Sequence, residues 1–86
     1  MAKYKILFKK SVAKDLRSIP NADIQRILKR IDRIVEDPRG EGCIKLSGQD
    51  KYRVRQGAYR IIYEIIDDKL VVTIVKVSHR SAAYSS

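Results

Sequence analysis

The segment Tyr52-Arg-Val-Arg-Gln-Gly-Ala-Tyr-Arg-Ile-Ile-Tyr63 decides the fold, because it alternates, turns and alternates again. Polar and apolar residues alternate on both sides of Gln56-Gly57, a pattern typical of two strands joined by a tight turn. A two-residue turn there would pair Arg53 with Arg60. Residues of one parity share a sheet face, so both arginines and Arg55 are predicted to stand together. Like charges directly opposite each other destabilise a sheet, and the cluster therefore indicates a site for an anion.

The composition is that of one small basic domain spanning residues 1–86. The net charge is +9 and the pI is about 9.9, which reaches the level of nucleic-acid-binding domains. Such a charge also suits a membrane surface or an acidic protein partner. We find no apolar run of membrane-spanning length and no secretory signal, so we expect no membrane association. Cys43 is the only cysteine, which excludes an intrachain disulfide and favours a cytoplasmic location.

The first half of the chain predicts a strand followed by two helices. Alternation from Lys3 to Lys9 indicates a half-buried strand. Ser11 is the predicted N-cap of a short helix that Pro20 stops, and Asn21 is the predicted N-cap of a second helix. That second helix is expected to end just before Pro38 and carries an apolar stripe at helical spacing.

The second half predicts three strands after a loop that spans 40–50. They are placed at 51–56, 58–66 and 70–78. The order β-α-α-β-β-β indicates an α+β fold, with an N-terminal helical hairpin packed on a mainly antiparallel four-stranded sheet. The register of the last hairpin stays open. A three-residue turn at 67–69 would put Lys76 on the arginine side, and a two-residue turn would put it on the other.

A basic cluster is the candidate binding or catalytic site. Its members are Arg53, Arg55, Arg60 and Arg80, with Lys76 if the register allows. Guanidinium groups bind phosphate bidentately and stay charged, so they could hold a scissile phosphate and stabilise charge growing on its oxygens. Tyr59 and Tyr84 offer rings on which unpaired bases could stack. The same residues would also suit a solvated basic face or a rim for an acidic protein.

Proton transfer and metal binding have few candidates. His79 is the only histidine, and histidine is the side chain whose ordinary pKa lies nearest neutrality, so His79 is a candidate general base. A lone histidine beside a strand end more often has a structural role, and that alternative stays open. With one histidine, one cysteine and no carboxylate cluster at ligand spacing, we expect neither a metal nor a cofactor.

Four motifs, taken in order, resemble the RelE family of bacterial and archaeal toxins. They are Lys45-Leu-Ser-Gly48, Tyr52-Arg-Val-Arg55, Ala58-Tyr-Arg-Ile-Ile-Tyr63 and Val75-Lys-Val-Ser-His-Arg80 followed by Tyr84. The resemblance implies the RelE/ParE fold and a type II toxin neutralised by a RelB-like antitoxin. RelE-type toxins cut messenger RNA in the ribosomal A site without metal, by attack of the 2′-hydroxyl on the adjacent phosphate to leave a 2′,3′-cyclic phosphate. The implied partners are thus the antitoxin, the ribosome with A-site mRNA, and operator DNA through the toxin–antitoxin complex.

The resemblance also implies roles for individual residues. Arg60 and Arg80 would clamp the phosphate, Arg80 could assist departure of the 5′-oxygen, and Tyr84 would orient the cleaved nucleotide. Contacts to RNA are expected from Lys45, Tyr59 and Lys76.

The basic pair of the family falls on Arg53 and Arg55, where well-studied relatives carry lysine. Arginine does not readily give up its proton. The general base therefore stays open among His79, the Tyr84 phenol and a ribosomal or RNA group, or catalysis rests on positioning and charge alone.

Two other functions remain open from the sequence. One is a ParE-like toxin that inhibits DNA gyrase without nuclease chemistry. The other is a catalytically weak family member that acts as a binding module.

Overall fold

A computed structural model describes residues 4–46 and 50–79, which form two helices on a five-stranded sheet. The elements are β1 Lys5–Phe8, α1 Lys10–Arg17, α2 Asn21–Glu36, β2 Ile44–Lys45, β3 Lys51–Gln56, β4 Tyr59–Ile66, a 3-10 turn at Asp67–Lys69, and β5 Val71–His79. The predicted α+β architecture is confirmed. The strand count of four is wrong, because β2 lies inside the segment predicted as a loop and is too short to show alternation.

The sheet has the order β1-β5-β4-β3-β2, with β4 at its centre. β1 runs parallel to β5, and the other neighbouring pairs are antiparallel. The sheet is therefore mixed. Its one parallel pair arises because α1 and α2 carry the chain across the sheet from β1 before the antiparallel strands begin.

Both helices begin close to the predicted positions, but the predicted N-caps are wrong. Lys9 is the N-cap of α1, and its amide donates to the Ile74 carbonyl as the chain leaves β1. The helix starts at once, which leaves Ser11 inside its first turn. Pro20 is the N-cap of α2, with an extended ψ of 145°, and its carbonyl accepts from the amides of Asp23 and Ile24.

The core lies between the helices and one face of the sheet. It contains Val12, Ile19, Ile27, Ile31, Ile34 and Val35 from the helical side and Val54, Ile61, Tyr63, Ile65, Val72, Ile74 and Val77 from the strands. Tyr63 is fully buried, and its hydroxyl donates to the Pro38 carbonyl at 2.6 Å. Burial raises the pKa of the Tyr63 phenol, so it stays a neutral donor. Leu28 follows the helical spacing of the apolar stripe of α2, but its side chain is 42% exposed.

The first hairpin turns one residue later than predicted. Gly57 and Ala58 form the turn, so Arg55 rather than Arg53 lies opposite Arg60, and Arg53 lies opposite Ile62. Gly57 has a φ of +59°, and Ala58 does not have a positive φ, as in a type II′ turn. A one-residue shift of the turn changes the partner of each residue by two positions. Odd-numbered residues of β3 therefore still pair with even-numbered residues of β4. The three arginines therefore share one face, as predicted.

The second hairpin contains a β-bulge that settles the open register. Four residues connect the strands, with Leu70 in a left-handed conformation (φ 53°). Tyr63 pairs with Ile74, but its neighbour Ile62 pairs with Lys76, so Val75 is an extra residue on β5. The bulge places Lys76 on the arginine side, where the three-residue turn would also have put it.

A hydrogen-bonded network joins distant segments at the far end of the sheet. The Arg39 guanidinium donates to both carboxylate oxygens of Asp67 at 3.0 and 2.9 Å, and the Tyr4 hydroxyl donates to the same carboxylate at 2.9 Å. Arg39 also lies 5.5 Å from the ring centre of Tyr52. The hydrogen bonds from Arg39 and Tyr4 lower the pKa of Asp67. No helix among the described residues is both long and apolar enough to cross a membrane.

Candidate anion-binding cleft

The sheet face opposite the helices carries those members of the basic cluster that the structure describes. Arg53 on β3, Arg60 on β4 and Lys76 on β5 line one cleft of about 550 Å³, with Ile62 between them. We call it the basic cleft. Strand alternation puts these side chains on one side, since their neighbours Val54, Ile61 and Val77 point into the core.

Helix α1 forms one wall of the basic cleft because the sheet is incomplete there. β1 pairs only with Val71–Ile74, so within the described residues no strand covers the edge of β5 beyond that point. Asp15 of α1 takes this position, and its carboxylate accepts the Val77 amide at 3.2 Å. Asp15 and Ser18 line the cleft on this side, and Leu46 lines it near β2. The Val77 amide at this edge of β5 thus has a hydrogen-bond acceptor, while the cleft stays open.

The electrostatics of the basic cleft favour an anion. Arg55 is exposed and lies directly opposite Arg60, adding a fourth cation to the face although it does not line the cleft. The Nε of Arg53 is buried without a hydrogen-bond partner among the described residues. The four cations of this face favour an anion because their mutual repulsion is relieved when a negative charge lies among them.

Tyr59 and His79 lie on the helix-facing side of the sheet, not among the arginines. They pair across β4 and β5, with ring centres 5.3 Å apart and planes at 84°. The Tyr59 hydroxyl donates to Asp23 at 3.1 Å. Desolvation and this hydrogen bond raise the pKa of Tyr59. Both side chains still reach one end of the basic cleft, where the strands finish.

Lys45 also lies on the helix-facing side. It pairs with Tyr52, whose ring stacks on the core residue Tyr63 at 5.9 Å between ring centres. Leu46, the next residue, lines the basic cleft instead. The structure therefore does not bring Lys45 together with Arg53 and Arg60.

Other cleft residues were not expected from the sequence. Ser78 pairs with Arg60, and alternation from Lys76 would have found it once the bulge was known. No local pattern could have indicated Asp15, which reaches the cleft through a contact between segments 62 residues apart. Arg80 and Tyr84, two of the predicted catalytic residues, lie outside the described residues. Within 4–46 and 50–79, no three histidine, cysteine or carboxylate side chains form a metal-binding group.

Comparison with known proteins places the chain in a toxin family. Residues 6–84 match the family model described as ParE toxin of type II toxin-antitoxin system, parDE. The chain is 32% identical to a putative toxin RelE1 of Methanocaldococcus jannaschii, over 98% of each protein. It is 31% identical to the mRNA interferase toxin RelE of Escherichia coli, over 95% of this chain and 90% of the relative.

Solved structures show the same likeness. The RelE–RelB complex of Pyrococcus horikoshii matches with a TM-score of 0.81 and 34% identity, covering 92% of this chain and 97% of the solved chain. The intact RelBE toxin–antitoxin complex of Escherichia coli matches with a TM-score of 0.78 and 29% identity, covering 88% and 95%. The chain belongs to the RelE/ParE family of type II toxins.

Proposed function

We propose that this chain is the toxin of a type II toxin–antitoxin pair and that it is an endoribonuclease that cleaves messenger RNA on the ribosome. The main structural support for this function is that Arg53, Arg60 and Lys76 all line one cleft. Family relatives of similar length are named mRNA interferases, which supports RNA as the substrate.

The proposed reaction needs charge stabilisation more than any other effect. The RNA 2′-hydroxyl attacks the adjacent phosphorus, the bond to the 5′-oxygen breaks, and a 2′,3′-cyclic phosphate and a 5′-hydroxyl remain. Negative charge grows on the non-bridging oxygens in the transition state. In this proposal Arg53 and Arg60 bind these oxygens, and removing one such donor typically costs about 10²–10³ in rate.

The cleft alone leaves the alignment of the RNA undetermined. In-line attack requires the 2′-oxygen, the phosphorus and the leaving oxygen to lie on one axis. A ribosome presenting A-site mRNA would supply that alignment, and this is the physical reason for proposing ribosome dependence. Arg80 and Tyr84 stay in the proposal from the resemblance alone, as a second phosphate clamp and a stacking platform. His79, at the end of the cleft, stays the candidate base.

A RelB-like antitoxin is the proposed inhibitor. Solved complexes pair the structural relatives with RelB proteins. The complex would occupy operator DNA, and both proteins would act in the cytoplasm.

Expression with and without the neighbouring antitoxin gene, followed by mapping of mRNA 5′ ends, tests the proposed function. We expect new 5′ ends inside translated codons only when the antitoxin is absent. Arg60→Ala should produce at least tenfold fewer of these ends, because a tenfold loss of rate corresponds to only about 1.4 kcal/mol of activation free energy. Intact transcripts in arrested cells would overturn the nuclease. Normal growth at high expression would instead support a binding module.

Gyrase inhibition is the second candidate, because the matching family model is described by the ParE toxin. It requires no phosphate chemistry. Purified protein would then inhibit topoisomerase supercoiling, and Arg60→Ala would inhibit as strongly as the unaltered chain. An effect on mRNA but none on supercoiling excludes this candidate.

A further inference from the structure

The side chain of Lys76 reaches the basic cleft only because of the bulge in β5. Tyr63 to Ile66 pair with Ile74 to Val71 in one register. Continued without interruption, that register would pair Ile61 with Lys76 and turn the lysine towards the core. The extra residue Val75 shifts the pairing, so Lys76 lies opposite Ile62 and is exposed in the cleft. Bulges often re-aim a side chain next to an active site.

Lys76 differs chemically from the other cations of the cleft. Arg53 and Arg60 line the cleft as guanidinium groups, which neutralise phosphate charge but are poor proton donors in catalysis. An ammonium carries three donors and is a proton-transfer group in many enzymes. The departing 5′-oxygen is a strong base and needs a proton as its bond to phosphorus breaks. Among the three cleft cations, Lys76 is the one suited to supply it.

We propose that Lys76 is a catalytic residue that donates a proton from its ammonium group to the departing 5′-oxygen, an inference that rests on the proposed function. The 2′-oxygen forms its bond to phosphorus and loses its proton to a separate base. The bond between phosphorus and the 5′-oxygen breaks, and the lysine proton moves to that oxygen. The neutral amine then takes a proton from water. The charge balances, and Arg53 and Arg60 hold the phosphate throughout.

Substrates with sulfur in place of the scissile 5′-oxygen test the assignment. A thiolate leaves without a proton, so a missing proton donor no longer limits cleavage. On ribosomes programmed with the oxygen substrate, we expect Lys76→Met to be slower by about 10²–10⁴ at saturating toxin. On the sulfur substrate, the same variant should cleave within about tenfold of the unaltered chain.

Two further variants separate proton transfer from charge. Lys76→Arg keeps the positive charge but gives up no proton, so it should bind the ribosome normally and show the same oxygen-specific defect. Lys29→Met removes one lysine from the exposed face of α2 and should cleave both substrates normally. Thermal melting of each variant shows that it is folded.

The results distinguish this inference from the proposed function. Equal losses by Lys76→Met on both substrates, or full activity of Lys76→Arg, would mean that Lys76 only holds the phosphate. Failure of the unaltered chain to cleave either substrate would overturn the nuclease itself, and with it the role of Lys76.

Discussion

Arg55 illustrates at the residue scale how stability and function compete on this sheet. It lies directly opposite Arg60, and like charges in that position cost about 0.2–1 kcal/mol relative to a neutral pair. We expect Arg55→Thr to raise the free energy of unfolding by that amount, because threonine also suits a strand. The same change should weaken RNA binding. Denaturant unfolding and RNA titration measure the two effects.

Lys51 supplies the matched control on the same strand. It lies opposite Glu64, a pair of opposite charges. Lys51→Thr removes one positive charge, as Arg55→Thr does, but should leave stability unchanged or lower it. If both variants shift stability in the same direction, repulsion between Arg55 and Arg60 is not the cause.

The shared face of the three arginines could be predicted from the sequence because side chains alternate along a strand with a period of two. The turn was predicted one residue too early, yet Arg53, Arg55 and Arg60 still share a face, since the period of a strand is two. Tyr59 shows the limit of the same reasoning. Parity with Ile61 and Tyr63 puts it on the helix-facing side, where Asp23 accepts its hydroxyl.

At the scale of elements, α1 substitutes for a strand beside β5. The Asp15 carboxylate accepts the Val77 amide at 3.2 Å. Asp15→Ala should lower the free energy of unfolding by about 1–2 kcal/mol, since hydrogen bonds to charged groups are worth roughly that in partly exposed positions. It should also speed hydrogen exchange of the Val77 amide, which NMR can follow.

Asp15→Asn separates the hydrogen bond from the charge. The asparagine oxygen can still accept from Val77, so this variant should keep the slow exchange of that amide. If Asp15→Ala leaves the exchange of Val77 unchanged, α1 is held to β5 by the packing of Val12 and Leu16 instead.

The elements that the sequence failed to predict depend on long-range contacts. β2 is two residues long and exists because Ile44 and Lys45 pair with Arg53 and Tyr52. The bulge at Val75 lets Val77 enter the core opposite Ile61, and neither β2 nor the bulge has a local signature. Long alternating or helical runs, by contrast, bury one face whatever their partners are, and all of these were found.

At the scale of the whole molecule, the Asp67 network joins the start of β1, the loop after α2 and the turn before β5. Hydrogen bonds from Arg39 and Tyr4 lower the pKa of Asp67 in the folded protein. The ionised carboxylate therefore contributes its full stabilisation of the fold at any pH above the ordinary carboxyl pKa. That contribution is lost as pH falls through the lowered pKa. Asp67→Asn should therefore melt at a lower temperature at neutral pH and converge with the unaltered chain in acid.

Asp68 provides the control for this prediction, since it lies in the same exposed turn. Asp68→Asn changes the net charge equally but should not reproduce the pH-dependent difference. Parallel melting curves for the two variants at every pH would show that net charge, not the network, sets the acid sensitivity.

The net charge of +9 raises the question whether RNA is held by the whole surface or by the basic cleft. Each phosphate contact to single-stranded RNA contributes about 0.7 to the slope of log affinity against log salt. If the cleft makes the contacts, Arg60→Ala should reduce the magnitude of that slope by about 0.7. Titration of a 2′-O-methylated RNA, which cannot be cleaved, measures the slope without turnover.

Arg33→Ala is the decisive comparison, because it removes the same charge from the exposed face of α2. If phosphates bind in the cleft, this variant should keep a nearly unchanged slope, because Arg33 lies on α2 and does not line the cleft. Exposed charges are largely screened beyond about 10 Å at 0.1 M salt. Equal reductions for Arg33→Ala and Arg60→Ala would mean that the charge acts as a diffuse field. Specific recognition would then have to come from the ribosome, and the arginines of the cleft would matter only after binding, in the transition state.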